Sequence, residues 1–186
     1  MLLHGDGKKE GARLSLSAGR IALLAMLLCC ALVAGYMERS IPFDLFLPGV
    51  KLGLSNVVIL FALYQIKPYE VFILAVLKSF LTSVFMASFT AFAYSICGTL
   101  LSFSAMAAIL KINRDFLSPV GVSVVGAICH NIGQIIAASF ILGSFLVVAY
   151  LPILLISGVI AGIFVGIIVR LLIQNTALAN FLNKYK

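Results

Sequence analysis

AYLPILLISGVIAGIFVGIIV, residues 149–169, runs for 21 positions without a charged side chain. At about 1.5 Å per residue, a helix of that length reaches roughly 31 Å. The hydrocarbon core of a bilayer is about 30 Å thick. The run is therefore read as a helix that crosses a membrane, continuing to about residue 173 past Arg170.

The rest of the chain has the same character. Of its 186 residues, 63% are hydrophobic and only 10% are charged. Soluble domains are about half apolar and about a quarter charged, and a chain of this size has no core large enough to hide the excess. Lipid must cover it. Five further apolar segments are expected as helices over about residues 18–37, 52–66, 70–88, 92–112 and 119–142. The fold expected is thus all-α, a polytopic membrane bundle of about six helices over residues 18–174. It is flanked by cytoplasmic tails at 1–17 and 175–186.

The second segment is short for a span. Before it lie Pro42, Pro48 and Gly49, which break helical continuation, so the connecting loop is expected to dip into the protein. Irregular backbone at membrane depth needs protein or a wet cavity around it. The first apolar run, 21–36, follows Lys8, Lys9, Arg13 and Arg20 as a signal peptide would. It ends in Met37-Glu38-Arg39 without a small-residue cleavage site, so it is read as a retained helix.

The formal charge of +7 does not mark a nucleic-acid surface, because the basic residues sit at the ends of apolar runs. With the N-terminus inside, Lys8, Lys9, Arg13, Arg20, Lys67, Lys111, Arg114, Arg170, Lys184 and Lys186 fall on one side, and Arg39 and Lys51 on the other. The positive-inside rule then places both termini in the cytoplasm, and only an even number of spans keeps the terminal lysines there. The expected location is a bacterial cytoplasmic membrane. Cys29, Cys30, Cys97 and Cys129 all lie within apolar segments without metal-ligand spacing, and are read as small packing residues. No metal site or cofactor is expected.

Ionisable and polar groups inside a membrane are costly, and they mark candidate sites. Lys78 lies within the third helix. His130, Asn131 and Gln134 lie within the fifth, where His130 and Gln134 share a face at i, i+4 and Asn131 neighbours Gln134 at i, i+3. Such a stripe serves either as hydrogen-bonding glue between helices or as a solute site. Lys78, with no carboxylate expected at its depth, makes the interior net positive, which points to an anionic solute. The segment Pro48-Gly49-Val50-Lys51-Leu52-Gly53-Leu54-Ser55-Asn56 adds two donors, Lys51 and Asn56, at the start of a helix, where free N–H groups favour anions. A plain connecting turn is the alternative.

Gly158, Gly162 and Gly166 form a small-residue strip suited to helix packing, and Ala18 and Ala22 form a weaker small-xxx-small pair. There is no nucleotide-binding Gly-rich loop. Asp6, Asp44 and Asp115 are too scattered to form the acidic cluster that would hold magnesium on a diphosphate. No catalytic residue is identified, and the chain is read as a non-enzyme.

Taken together, Glu38-Arg39-Ser40-Ile41-Pro42, the Pro48–Asn56 segment, the Lys78 helix, Gly121-Val122-Ser123 leading into His130-Asn131-Ile132-Gly133-Gln134, and Leu151-Pro152 with Gly158 resemble a small bacterial family. It is labelled heptaprenyl diphosphate synthase component I, or Gx transporter. The resemblance runs from about Arg20 to Arg170. That family in turn resembles the S components of energy-coupling factor (ECF) transporters, six-helix subunits that capture a solute with the loop after helix 1. The resemblance implies a solute-binding subunit for uptake of a small organic molecule. Its partners would be a transmembrane coupling subunit and ATPases, with Ala18 and Ala22 on the docking face. The synthase label implies instead a non-catalytic accessory of prenyl diphosphate or quinone biosynthesis. A stand-alone facilitator is the third reading.

Overall fold

The computed structural model describes residues 18–40, 52–85, 87–114 and 116–175. Among these, six α-helices follow one another: α1 (Ala18–Arg39), α2 (Leu54–Gln65), α3 (Pro68–Phe85), α4 (Phe89–Ile112), α5 (Pro119–Leu142) and α6 (Leu151–Gln174). A 3₁₀ stretch, Phe145–Tyr150, leads into α6. Five of the helices are long and apolar enough to cross a membrane, and α2 is a shorter apolar helix of 12 residues. The chain is an all-α helical bundle with the composition of a membrane protein.

Local chemistry explains the boundaries. Ser88 opens α4 and Ser118 opens α5, their hydroxyls accepting from the N–H groups of Ala91 at 3.2 Å and Gly121 at 3.3 Å. Each satisfies one of the donors that a helix start leaves open. Pro119 follows Ser118 in the first turn, where its missing N–H is harmless. Gly143 ends α5 in the left-handed conformation, φ 59°, as a C-terminal glycine does. Most boundaries fall within three residues of the sequence expectation without coinciding with it, and two of the shifts have a plain local cause. Helix α3 begins at Pro68 rather than residue 70, because proline is well suited to a first turn. Helix α4 begins at Phe89 rather than residue 92, because Ser88 supplies the cap. The turn expected at Gly143-Ser144 extends into the 3₁₀ stretch.

Neighbouring helices close a ring in the order α1, α2, α6, α5, α4, α3 and back to α1, with α2 also touching α3. The tightest packings are α4 on α5 and α5 on α6. Glycines make them possible. A Cβ on Gly133 would lie 2.8 Å from the Gly98 Cα, and one on Gly162 would lie 2.7 Å from the Val124 Cα. Gly158 and Gly166 likewise face α5, at Asn131 and Val120. The whole strip 158, 162, 166 thus runs against α5.

Short helix α2 is the most enclosed of the six. Residues Ile59 to Leu63 are consecutively buried, and Leu60 and Leu63 are 1% and 2% exposed. A helix surrounded by protein on all sides need not match the bilayer thickness, which is how 12 residues suffice here. The hydrophobic core gathers where α1 begins: Leu27, Leu63, Val71, Leu110, Val122 and Val169 belong to one buried cluster. At the same end Arg20 of α1 forks onto Glu70 of α3, Nε to Oε1 at 2.6 Å and Nη2 to Oε2 at 3.0 Å. Cys29 and Cys30, expected as packing residues, are instead exposed on α1.

Candidate functional site

Inside the ring, toward the end where α1 finishes and α2 starts, lies a cavity of about 540 Å³. Small-molecule pockets span about 300–1,000 Å³, so the space suits a small organic solute. Tyr150 and Leu142 line it near one end, and Leu60, Met106 and Val165 line it at the other. One helical turn further along α2, α4 and α6, Leu63, Leu110 and Val169 are buried in the core cluster. The cavity therefore ends on an apolar floor.

Asn56, Lys78, His130, Asn131 and Gln134, the site residues expected from sequence, all line this one cavity. They come from three helices, α2, α3 and α5, and meet inside the ring. Lys51, the sixth, lies outside the described residues. Lys78 is 8% exposed, and its Nζ donates to Asn56 Oδ1 at 3.0 Å. That bond orients the Asn56 amide and ties α3 to the first turn of α2. The His130 ring lies against α4, where a Cβ on Gly98 would come within 2.9 Å of its Cε1. The missing side chain at Gly98 is what gives the imidazole room.

The polar stripe on α5 divides its work. Asn131 Nδ2 donates to the Leu154 carbonyl at 2.5 Å, and Gly158 leaves space for that amide. Asn131 thus holds α5 to α6 while facing the cavity. Gln134 lines the same wall and has no hydrogen-bond partner among the described residues. A side-chain amide carries two donors and an accepting oxygen, so Gln134 presents recognition chemistry to whatever enters.

The expectation that no carboxylate lies at depth is corrected. Glu38, at the end of α1, is 7% exposed and lines the cavity with Lys78. Its Oε1 accepts from the Gly53 N–H at 2.7 Å and its Oε2 from the Leu54 N–H at 3.0 Å. These N–H groups open α2, whose first turn carries the positive end of the helix dipole. Gly53 reaches this position with φ 76°, a left-handed conformation natural to glycine. The negative charge of Glu38 is thus taken up by a helix start, and Lys78 is held by an amide.

Hydroxyls complete the lining, and sequence reasoning missed them. Thr82 and Ser83 from α3, Tyr94 and Ser95 from α4, Ser123 from α5 and Ser157 from α6 all face the cavity. Serine and threonine are common in membrane helices, where they bond their own backbone, as Ser83 Oγ does to the Ser79 carbonyl at 2.8 Å. Their frequency alone therefore carries no signal. Ser79 and Thr99, hydrogen-bonded to each other at 2.9 Å across the α3–α4 contact, show the same residue types acting only as packing. Ala18 and Ala22 lie outside the cavity lining and are exposed on α1.

Comparison with known proteins gives one result. The family described as Heptaprenyl diphosphate synthase component I matches residues 14–172 of the chain. No curated protein and no solved structure matches it.

Proposed function

We propose, from the premise that this chain belongs to the heptaprenyl diphosphate synthase component I family, that it is a membrane solute-binding subunit for the uptake of a small organic molecule. One observation carries this reading. Polar residues from α2, α3 and α5 converge on a cavity of about 540 Å³ that ends on an apolar floor, with Gln134 unpartnered in its wall among the described residues. Hydrogen-bonding glue alone would leave no space between the groups it joins. The solute is proposed to carry an anionic group: Lys78 brings a cation to the cavity wall, where the α2 start already engages the Glu38 carboxylate.

The subunit resides in a bacterial cytoplasmic membrane with both termini in the cytoplasm, as the charge distribution favours. The cavity then faces the exterior. A binding subunit of this kind takes its energy from partners, a transmembrane coupling subunit and ATPases, since release on the far side requires differential stabilisation of a second conformation. The exposed small residues Ala18 and Ala22 offer a face for close helix approach. The family description itself favours a second reading, a non-catalytic membrane accessory of prenyl diphosphate synthesis.

Native mass spectrometry of the gently extracted protein tests the first reading. A retained small molecule is expected, and its occupancy falls about tenfold or more in His130→Ala and Gln134→Leu, the loss of one or two hydrogen bonds to a charged group. Occupancy unchanged in both variants would assign the stripe to packing. Ala22→Trp separates the two readings: uptake by cells is lost with solute retention intact if partners dock there to drive transport. Intact uptake with lowered prenyl diphosphate output would favour the accessory role.

A further inference from the structure

At the opposite end of the bundle from the solute cavity, α2, α3 and α4 leave a second recess of about 290 Å³. Its walls are apolar: Leu63 from α2, Pro68 from α3, and Ala107, Ala108 and Leu110 from α4. The recess exists because two successive alanines replace larger side chains on α4, which elsewhere packs on α3 through the Phe72–Phe103 ring pair at 5.4 Å. Phe103 sits one helical turn from Ala107, so the ring pair closes the α3–α4 contact just beyond the recess.

Two cations complete the recess. Lys111 and Arg114 line it, both are exposed, and neither is in an ion pair among the described residues. Glu70, the carboxylate at this end among the described residues, is held bidentately by Arg20. A further polar group lies behind the recess lining, on α2 next to Leu63 in sequence. The Tyr64 hydroxyl is buried without a hydrogen-bond partner, within electrostatic reach of the Arg114 guanidinium. Buried polar atoms are nearly always satisfied, and a water between this phenol and the recess would satisfy it.

A soluble anion would use the cations and gain nothing from the apolar walls. A neutral lipid chain would use the walls and leave the cations unanswered. An amphiphile with an anionic head uses both, and cations at a bundle end sit at the depth of lipid phosphates, the anionic heads most abundant there. We propose that this recess is a binding site for an anionic glycerophospholipid, whose phosphodiester sits on Lys111 and Arg114 and whose first methylenes lie over Ala107 and Ala108. This site is separate from the solute cavity, and no residue of that cavity takes part in it.

The test uses the full-length protein reconstituted in vesicles of equal phosphatidylglycerol and phosphatidylcholine, extracted gently and weighed by native mass spectrometry. Phosphatidylglycerol should be retained in preference to phosphatidylcholine. Replacing both cations, Lys111→Gln with Arg114→Gln, should lower its retention on the order of 20- to 30-fold, the value of two lipid-facing charges. Both residues are exposed, so the variant should fold. Ala108→Trp fills the recess while keeping the charges and should lower retention as well. Equal retention of the two lipids, or retention unaffected by the double substitution, would overturn the proposal. So would displacement of the lipid by millimolar inorganic phosphate, which would mark a site for soluble anions.

Discussion

At the end where α1 begins, the ring of helices is filled by Leu63, Val71, Val122 and Val169 and strapped by the Arg20–Glu70 fork. At the end where α1 finishes, the same six helices enclose about 540 Å³ lined by amides, hydroxyls, Lys78, His130 and Glu38. The difference lies in side-chain size and polarity at equivalent turns. On α2, Asn56 faces the cavity and Leu63 fills the core. On α6, Ser157 and Gly158 face the cavity and Val169 fills the core. A bundle in lipid gains little from burying apolar groups, because the chains outside are as apolar as the core. Its stability rests on packing and polar contacts. One end is thus built for cohesion, and the other gives up contacts to make a site.

This division predicts that substitutions at the closed end cost stability and substitutions around the cavity cost binding. The severest case is Gly166→Leu. A first added carbon there already lies 3.1 Å from the Ser123 Cβ and collides with the backbone of Val120. The helices must separate, at more than the about 1–3 kcal/mol usual for overpacking. Size-exclusion chromatography of the detergent extract should show no monodisperse protein. A well-behaved Gly166→Leu protein would mean that α5 and α6 do not meet as described.

Leu63→Ala ranks second. Leu63 is 2% exposed at the closed end, and truncating such a side chain costs about 2–5 kcal/mol. The midpoint of chemical denaturation in micelles should shift accordingly, with solute retention unchanged below it. Lys78→Met should have the smallest effect on stability, about 1.5–2 kcal/mol for a charge-assisted hydrogen bond such as that to Asn56, since a methionine of similar volume fills the space. Retention of the solute should nevertheless be lost. If Lys78→Met destabilises as much as Leu63→Ala, then the cavity end is structural too and the contrast fails.

Much of the arrangement was legible in residue order. The six apolar segments became six helices, the segment at 52–66 became a short helix, and Pro119 and Gly143 fell where the chemistry of caps puts them. The described site residues Asn56, Lys78, His130, Asn131 and Gln134 were identifiable because each is a conspicuous polar group in an apolar run, and each lines the cavity. Lys51 lies outside the described residues. The role of Glu38 was not legible. It stands at the end of a helix, where a carboxylate ordinarily meets water, and its partners are backbone N–H groups 15 and 16 residues away.

What the sequence determined by itself, then, is where the chain is helical, which segments are long enough to cross a membrane, and which polar groups need company. These follow from composition, length and local capping. Only the tertiary structure decided which face of each helix turns inward. In a soluble protein the apolar stripe of a helix points to the core, and the sequence reveals its rotation. Here lipid-facing and core-facing surfaces are both apolar, so hydropathy cannot distinguish them. Rotation is set by glycines that let backbones approach, by Arg20 finding Glu70 across 50 residues, and by Lys78 finding Asn56 across 22. The convergence of scattered hydroxyls on one cavity, and the recess beside Lys111 and Arg114, exist only once those long-range contacts have fixed each helix about its own axis.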